Sequence, residues 1–176
     1  MIKGGIGGAN TLTGLKFEER IDLKINFASL KGYSVKGNDL FYKGELVAQM
    51  YRKHEIYKKF LTVHKSKEEI LLSRKLLPDD SIFVISNNVL FIIEIKFQHG
   101  QGSVDEKLQT CDFKKKQYIK LVGDTGIKIE YIYILNDWFK KDSYKDVLDY
   151  VRSVGCHYFF EELPLKFLGL PEPKLS

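Results

Sequence analysis

The sequence predicts an α/β domain with a mixed β-sheet flanked by helices, and three stretches carry that prediction. Ser81-Ile82-Phe83-Val84-Ile85 and Val89 to Gln98 are apolar, β-branched runs on either side of Ser86-Asn87-Asn88, the pattern of a β-hairpin. Ser103-Val104-Asp105-Glu106 is a capping box, with Ser at N-cap and Glu at N3, so a helix opens there and runs to about Val122. Lys128 to Leu135 alternates Ile129, Tyr131, Tyr133 and Leu135 with Glu130, Ile132 and Ile134, as a strand does. A last helix spans roughly Asp142 to Val154. Hairpin, helix, strand, helix is the order that lays helices on a sheet.

The remaining elements are read in chain order. Gly4, Gly5, Gly7 and Gly8 follow no strand and lead to no Gly-Lys-Ser/Thr, so they suit an arm or tight turn rather than a phosphate loop. A helix opens at Thr13 or Gly14, with Phe17, Ile21, Ile25 and Ala28 as its buried stripe. Residues 33–64 read as short strands, including Asp39-Leu40-Phe41-Tyr42, a turn at Lys43-Gly44 and Leu46 to Tyr51. Tyr51 to Phe60 is dense in Tyr, Lys and His, and residues 66–76 suit a short helix closed by Pro78. No repeat or linker divides the chain, so 1–176 reads as one domain with a basic, β-rich insertion around 31–76.

Composition narrows the class. At 176 residues, with 44% hydrophobic and 29% charged residues, the chain has material for a core without a disulfide or metal staple. The apolar runs are short, as in Val89-Leu90-Phe91-Ile92-Ile93, and far from the ~20 residues of a membrane span. Met1-Ile2-Lys3-Gly4-Gly5 lacks the apolar core of a secretory signal, and Cys111 and Cys156 lack metal-ligand spacing. The expectation is a reduced, cytoplasmic protein with no membrane partner. Net charge is +5, but residues 31–76 hold 11 Lys/Arg against five acids and are +6 by themselves. Such asymmetry suits a polyanion, since each neutralised phosphate releases a counterion, with a solvated basic face as the plain alternative.

The chemistry sits on the second strand of the hairpin. Val89, Phe91, Ile93, Ile95 and Phe97 share one face, and Leu90, Ile92, Glu94, Lys96 and Gln98 the other, which turns polar at its end. Polar groups ending a core strand are costly unless they pair or bind something. A three-residue turn at 86–88 sets Asp80 opposite Glu94, and a two-residue turn at 87–88 sets Asp79 opposite Lys96. Either register brings a second carboxylate beside Glu94. Two close carboxylates call for a cation, and a hard divalent ion such as Mg²⁺ suits oxygen ligands. With Lys96 to hold a phosphate or orient a water, the set points to metal-assisted phosphodiester chemistry.

Pro78-Asp79, fourteen residues, then Glu94-Ile95-Lys96 resembles the PD-(D/E)XK nuclease motif, with Gln98 in the E-x-K-x-Q extension. Gly7 to Glu18 and Gly102 to Thr110 resemble type II restriction endonucleases of that superfamily, and with Pro78 to Gln98 these segments cover roughly a quarter of the chain. The resemblance implies a restriction-endonuclease-like core in which Asp79 and Glu94 bind one or two Mg²⁺ ions and Lys96 positions the attacking water. It adds Glu18, or its neighbour Glu19, as a further ligand from the first helix, and Gln98 as an ancillary contact. It implies cleavage of double-stranded DNA at a specific sequence to leave 5′-phosphate ends, a homodimer or a small monomer, and a cognate DNA methyltransferase. Base or backbone contacts are expected from Asn38, Gln49, Arg52, Lys53 and His54, with Lys107 on the capped helix. The alternatives are a structure-specific or nicking nuclease of the same fold, or an inactive DNA-binding subunit.

Simpler readings stand beside these. Glu94 and Lys96 also suit an edge ion pair, and Glu18 and Glu19 suit a helix N-terminus. Lys114-Lys115-Lys116 suits a solvated face more than a DNA clamp, with phosphate contact as the alternative. His54, His64, His99 and His157 show no ligand spacing, and Trp138 reads as core or interface.

Overall fold

A computed structural model describes residues 14–16, 22–64, 72–99 and 104–173. Within them the chain runs β1 (Gly14–Lys16), α1 (Leu23–Ala28), β2 (Tyr33–Lys36), β3 (Asp39–Tyr42), β4 (Glu45–Tyr51), a π-helical turn at Ile56–Phe60 and α2 (Leu61–His64). The second half runs β5 (Asp80–Val84), β6 (Val89–Lys96), α3 (Val104–Leu108), α4 (Cys111–Val122), β7 (Lys128–Leu135), α5 (Lys145–Ser153), β8 (His157–Phe160), β9 (Glu162–Pro164) and α6 (Leu165–Leu168). Seven strands form one mixed sheet in the order β2-β3-β4-β5-β6-β7-β8, antiparallel up to β6 and parallel from β6 to β8. Parallel neighbours need crossovers, which α3 with α4, and then α5, supply.

Alternation along β6 and β7 sorts the core into two layers. Leu90 and Ile92, with Ile129, Tyr131, Tyr133 and Leu135, pack against α4, α5 and the helical turn after β4. Val89, Phe91 and Ile93, with Ile132 and Ile134, pack against α1, β9 and α6. The centre of the sheet is therefore covered on both sides, and its strands read as nearly continuous apolar runs. Cys111 and Cys156, distant in sequence, meet in the α4 layer as free, buried thiols. A hydrogen bond between them lowers the Cys111 pKa and raises that of Cys156. Among the described residues no helix is long and apolar enough to cross a membrane.

Several boundaries differ from the sequence expectation. No helix opens at Gly14: Gly14-Leu15-Lys16 is a strand, paired antiparallel with Glu162-Leu163-Pro164, because this pairing buries Leu15 completely. The helix starts at Leu23 behind Asp22, whose carboxylate accepts the Lys24 N–H at 2.9 Å. Ile25, expected in its buried stripe, is 65% exposed; Phe17 and Ile21 lie outside the described residues. Residues 33–51 are strands as expected, but 56–64 are helical, with Ile56, Tyr57 and Phe60 facing the core. Residues 72–76 are not helical, and the rest of the expected 66–76 helix lies outside the described residues. The helix expected to run to Val122 breaks at Gln109-Thr110 into α3 and α4; Ser103 of its capping box lies outside the described residues.

Candidate active site

The hairpin register decides which acids meet. β5 pairs with β6 as Asp80↔Ile93 through Val84↔Val89, which leaves a four-residue turn, Ile85-Ser86-Asn87-Asn88. Neither register considered from the sequence is formed, because Asn87 closes a longer turn: its side-chain oxygen accepts the Val89 N–H at 3.2 Å. Asn88 takes the left-handed conformation (φ 55°), which Asn tolerates better than most residues. One step beyond the last pair, Asp79 adjoins Glu94, and its Oδ2 accepts the Ile95 N–H at 2.9 Å.

Asp79 and Asp80 go to opposite faces. Lys96 Nζ lies 2.8 Å from Glu94 Oε2 and 3.6 Å from Asp79 Oδ2, and it donates to the Ile95 carbonyl at 3.3 Å. Three oxygens thus converge on one cationic nitrogen. Asp80 instead turns toward α1, where Arg52 Nε lies 3.3 Å from its Oδ1 and Arg52 Nη1 lies 2.7 Å from Asp22 Oδ2. Burial raises the Asp80 pKa to about 7; Arg52 opposes the rise, and Asp22 and Asp79 add to it.

The site is graded from dry to wet. The Glu94 side chain is 9% exposed and that of Asp79 41%, so one carboxylate is anchored in the sheet and the other opens to solvent. Buried Tyr131 and Tyr133 lie on the same side as Glu94, and burial raises the pKa of both phenols, so they stay neutral. Gln98, expected within the strand, is buried two residues past the end of β6, where Asn136 fixes its backbone: Asn136 Nδ2 donates to the Gln98 carbonyl at 2.8 Å, and the Gln98 N–H donates to Asn136 Oδ1 at 3.2 Å. Glu18 and Glu19 lie outside the described residues. Among the described residues no three His, Cys, Asp or Glu side chains gather as a metal cluster.

Two residues near this site were not assigned to it from the sequence. Lys114, placed on a solvated face, reaches in from α4 with its Nζ 3.5 Å from Glu94 Oε1. Asn136 follows β7 and carried no motif. The three lysines of α4 diverge, for Lys115 bonds Glu130 at 3.1 Å and the Gly155 carbonyl at 2.6 Å, and Lys116 pairs with Asp112. Only Lys116 fits the solvated reading.

The expected nucleic-acid contacts divide. Asn38, in the turn between β2 and β3, and Gln49, on β4, are used within the fold: Asn38 donates to the Met50 carbonyl and accepts from Lys59, and Gln49 donates to Asp39. Arg52 is taken up by Asp22 and Asp80. Lys53, His54 and Lys107 are exposed, and the Lys53 N–H donates to the Pro78 carbonyl at 3.1 Å, which sets the Arg52-Lys53-His54 turn beside Asp79. Of the other histidines, His64 packs between Phe60 and Phe83, and His157 lies 3.0 Å from Glu130. Trp138 is partly buried against the α4 layer and donates to the Tyr144 hydroxyl.

Comparison with known proteins finds no matching family model, no matching curated protein and no matching solved structure.

Proposed function

We propose that the chain is a Mg²⁺-dependent endodeoxyribonuclease, and specifically a type II restriction enzyme. The observation that carries this reading is the convergence of Asp79, Glu94 and the Ile95 carbonyl on the Lys96 ammonium at the end of β6. Oxygen donors gathered round a positive charge are the donor set a hard divalent cation takes, so these residues fit Mg²⁺. Asp79 and Glu94 hold the ion, which when bound supplies positive charge and Lewis acidity at the scissile phosphate.

The chain's own groups do the remaining work. Lys96 is a compact ammonium donor beside both carboxylates, suited to holding a phosphate oxygen and orienting a water for in-line attack. The buried setting of Glu94 strengthens these electrostatics relative to water. The exposed Asp79 side chain leaves the site open to a substrate as large as a duplex. Glu18 and Gln98 remain a proposed third ligand and a proposed ancillary contact. Cutting both strands calls for two such sites, which favours a homodimer, and restriction calls for a partner methyltransferase.

Purified protein incubated with unmethylated phage DNA, with and without Mg²⁺ and beside Lys96→Ala, tests the reading. The expected outcome is discrete Mg²⁺-dependent fragments sharing one end sequence, with at least ~10²-fold loss in the variant, the scale of losing one preorganised electrostatic group. Smears or nicks lost in Lys96→Ala would keep the nuclease and remove the sequence specificity. No cleavage with any divalent metal would reduce the chain to a binding subunit and refute the catalytic assignments.

A further inference from the structure

Glu94 is held twice. Lys96 takes Oε2 at 2.8 Å from the same strand, and Lys114 approaches Oε1 at 3.5 Å from α4. One carboxylate with a 9% exposed side chain thus faces two ammonium groups. With Asp79 counted, two negative and two positive groups make the cluster neutral, which is how buried charge is tolerated. A divalent cation on the same carboxylates brings two further positive charges, and a neutral cluster becomes strongly cationic.

One ammonium has to give way, and the contacts say which. Lys96 lies among three oxygens, those of Asp79, Glu94 and Ile95. Lys114, among the described residues, has one ion pair, longer than the 2.8 Å contact of Lys96. It sits in the first half of a 12-residue helix anchored by buried Tyr118 and Leu121, and its side chain is 25% exposed, so its head can swing toward water while the helix stays put.

We propose that Lys114 is a built-in competitor of the metal. It holds the Glu94 carboxylate in place in the metal-free protein, yields Oε1 to the incoming cation, and so sets the metal affinity of the site. This inference rests on the metal-ligand part of the proposed function, that Asp79 and Glu94 hold the ion. Lys114 is accordingly a positioning residue whose signature is affinity for the ion, independent of turnover.

Isothermal titration of MnCl₂ and MgCl₂ into the DNA-free protein tests it, with wild type, Lys114→Met and Lys114→Arg compared and Glu94→Gln as the blank. Lys114→Met is expected to bind the ion on the order of tenfold more tightly, the scale of removing a like charge from a partly hydrated site. Lys114→Arg keeps the charge and is expected to stay within about twofold of wild type. Lys114→Gln replaces Lys114→Met if thermal unfolding shows that the Met variant is not folded. Equal or weaker ion binding in the neutral variants overturns the proposal. Ion binding by wild type that tightens in Lys114→Met, without DNA cleavage, leaves the proposal standing and refutes the nuclease reading. No ion binding by wild type at millimolar concentration refutes both.

Discussion

Arg52 shows how much a single side chain can hold on the face of the sheet away from Glu94. Its guanidinium bridges Asp22, the N-cap of α1, and Asp80, which is 2% exposed. Arg52→Met would leave Asp80 buried without its cation, a loss of about 1–3 kcal/mol in urea denaturation. Adding Asp80→Asn is expected to restore part of that loss, since a neutral amide needs no counter-charge; strict additivity of the two changes would contradict the pairing. Glu130 gives a pH-dependent counterpart. Its pKa is held below the ordinary carboxylate value by the His157 hydrogen bond and by Lys115, against the opposing effect of burial. A depressed acid contributes stability that is present above its unfolded pKa and lost as pH falls through its folded pKa. Glu130→Gln is therefore expected to lower Tm near pH 6 and to converge on wild type as pH falls toward about 3, below the ordinary carboxylate range. A gap that stays constant over that range would assign the effect to packing.

Among the elements, α4 joins the core to the candidate site. Tyr118, Leu121 and Val122 are buried against β7, while Lys114 stands over Glu94. Leu121→Ala is expected to cost about 2–5 kcal/mol, as large-to-small core changes do, measured by denaturant unfolding. A loss below about 1 kcal/mol would mean that the helix is not anchored there. β6 and β7 were the elements most legible from sequence, because a strand covered on both faces reads as a nearly continuous apolar, β-branched run. Asp79, Glu94 and Lys96 were legible for the same reason, since they end such a strand or adjoin one. The hairpin register was not, because two-, three- and four-residue turns all fit Ile85 to Asn88 and the apolar pattern of the strands does not choose among them. The expected first helix failed where the chain is described: Gly14-Leu15-Lys16 is a strand, and Ile25, which fits the helical period, points to solvent. Lys114 was missed because three consecutive lysines look alike until tertiary structure gives each a different partner.

For the whole molecule, charge distribution is not a map of binding surface. The described part of the cationic segment, residues 31–64 and 72–76, carries the strands at one flank of the sheet, and part of its charge is spent internally. Arg52 pairs with Asp22 and Asp80, Lys59 with Glu55, and Lys43 and Lys75 lie over Tyr42 and Tyr57. If DNA binds at Asp79, Glu94 and Lys96, Lys53 and Lys107 are better placed than Arg52 to contact phosphates. Changing either to Ala is expected to lower affinity on every DNA sequence and to flatten the salt dependence by about one phosphate each, read from binding isotherms at several salt concentrations. Sequence-selective weakening would assign them to base reading.

The pairing of β1 with β9 is a buckle between two remote parts of the chain. Three residues on each side hold it, and Leu15 and Leu163 supply its buried weight. Fastening it encloses nearly the entire fold in one loop, whose closure entropy is met only after the large sheet has drawn the two segments together. The buckle should therefore fasten last and slip first. Exchange of the Leu15 and Leu163 amide hydrogens is expected to outpace that of Ile92 and Ile93 in mid-sheet, and Leu15→Asp should bare Phe27 and Leu168 while the seven-stranded sheet is still whole.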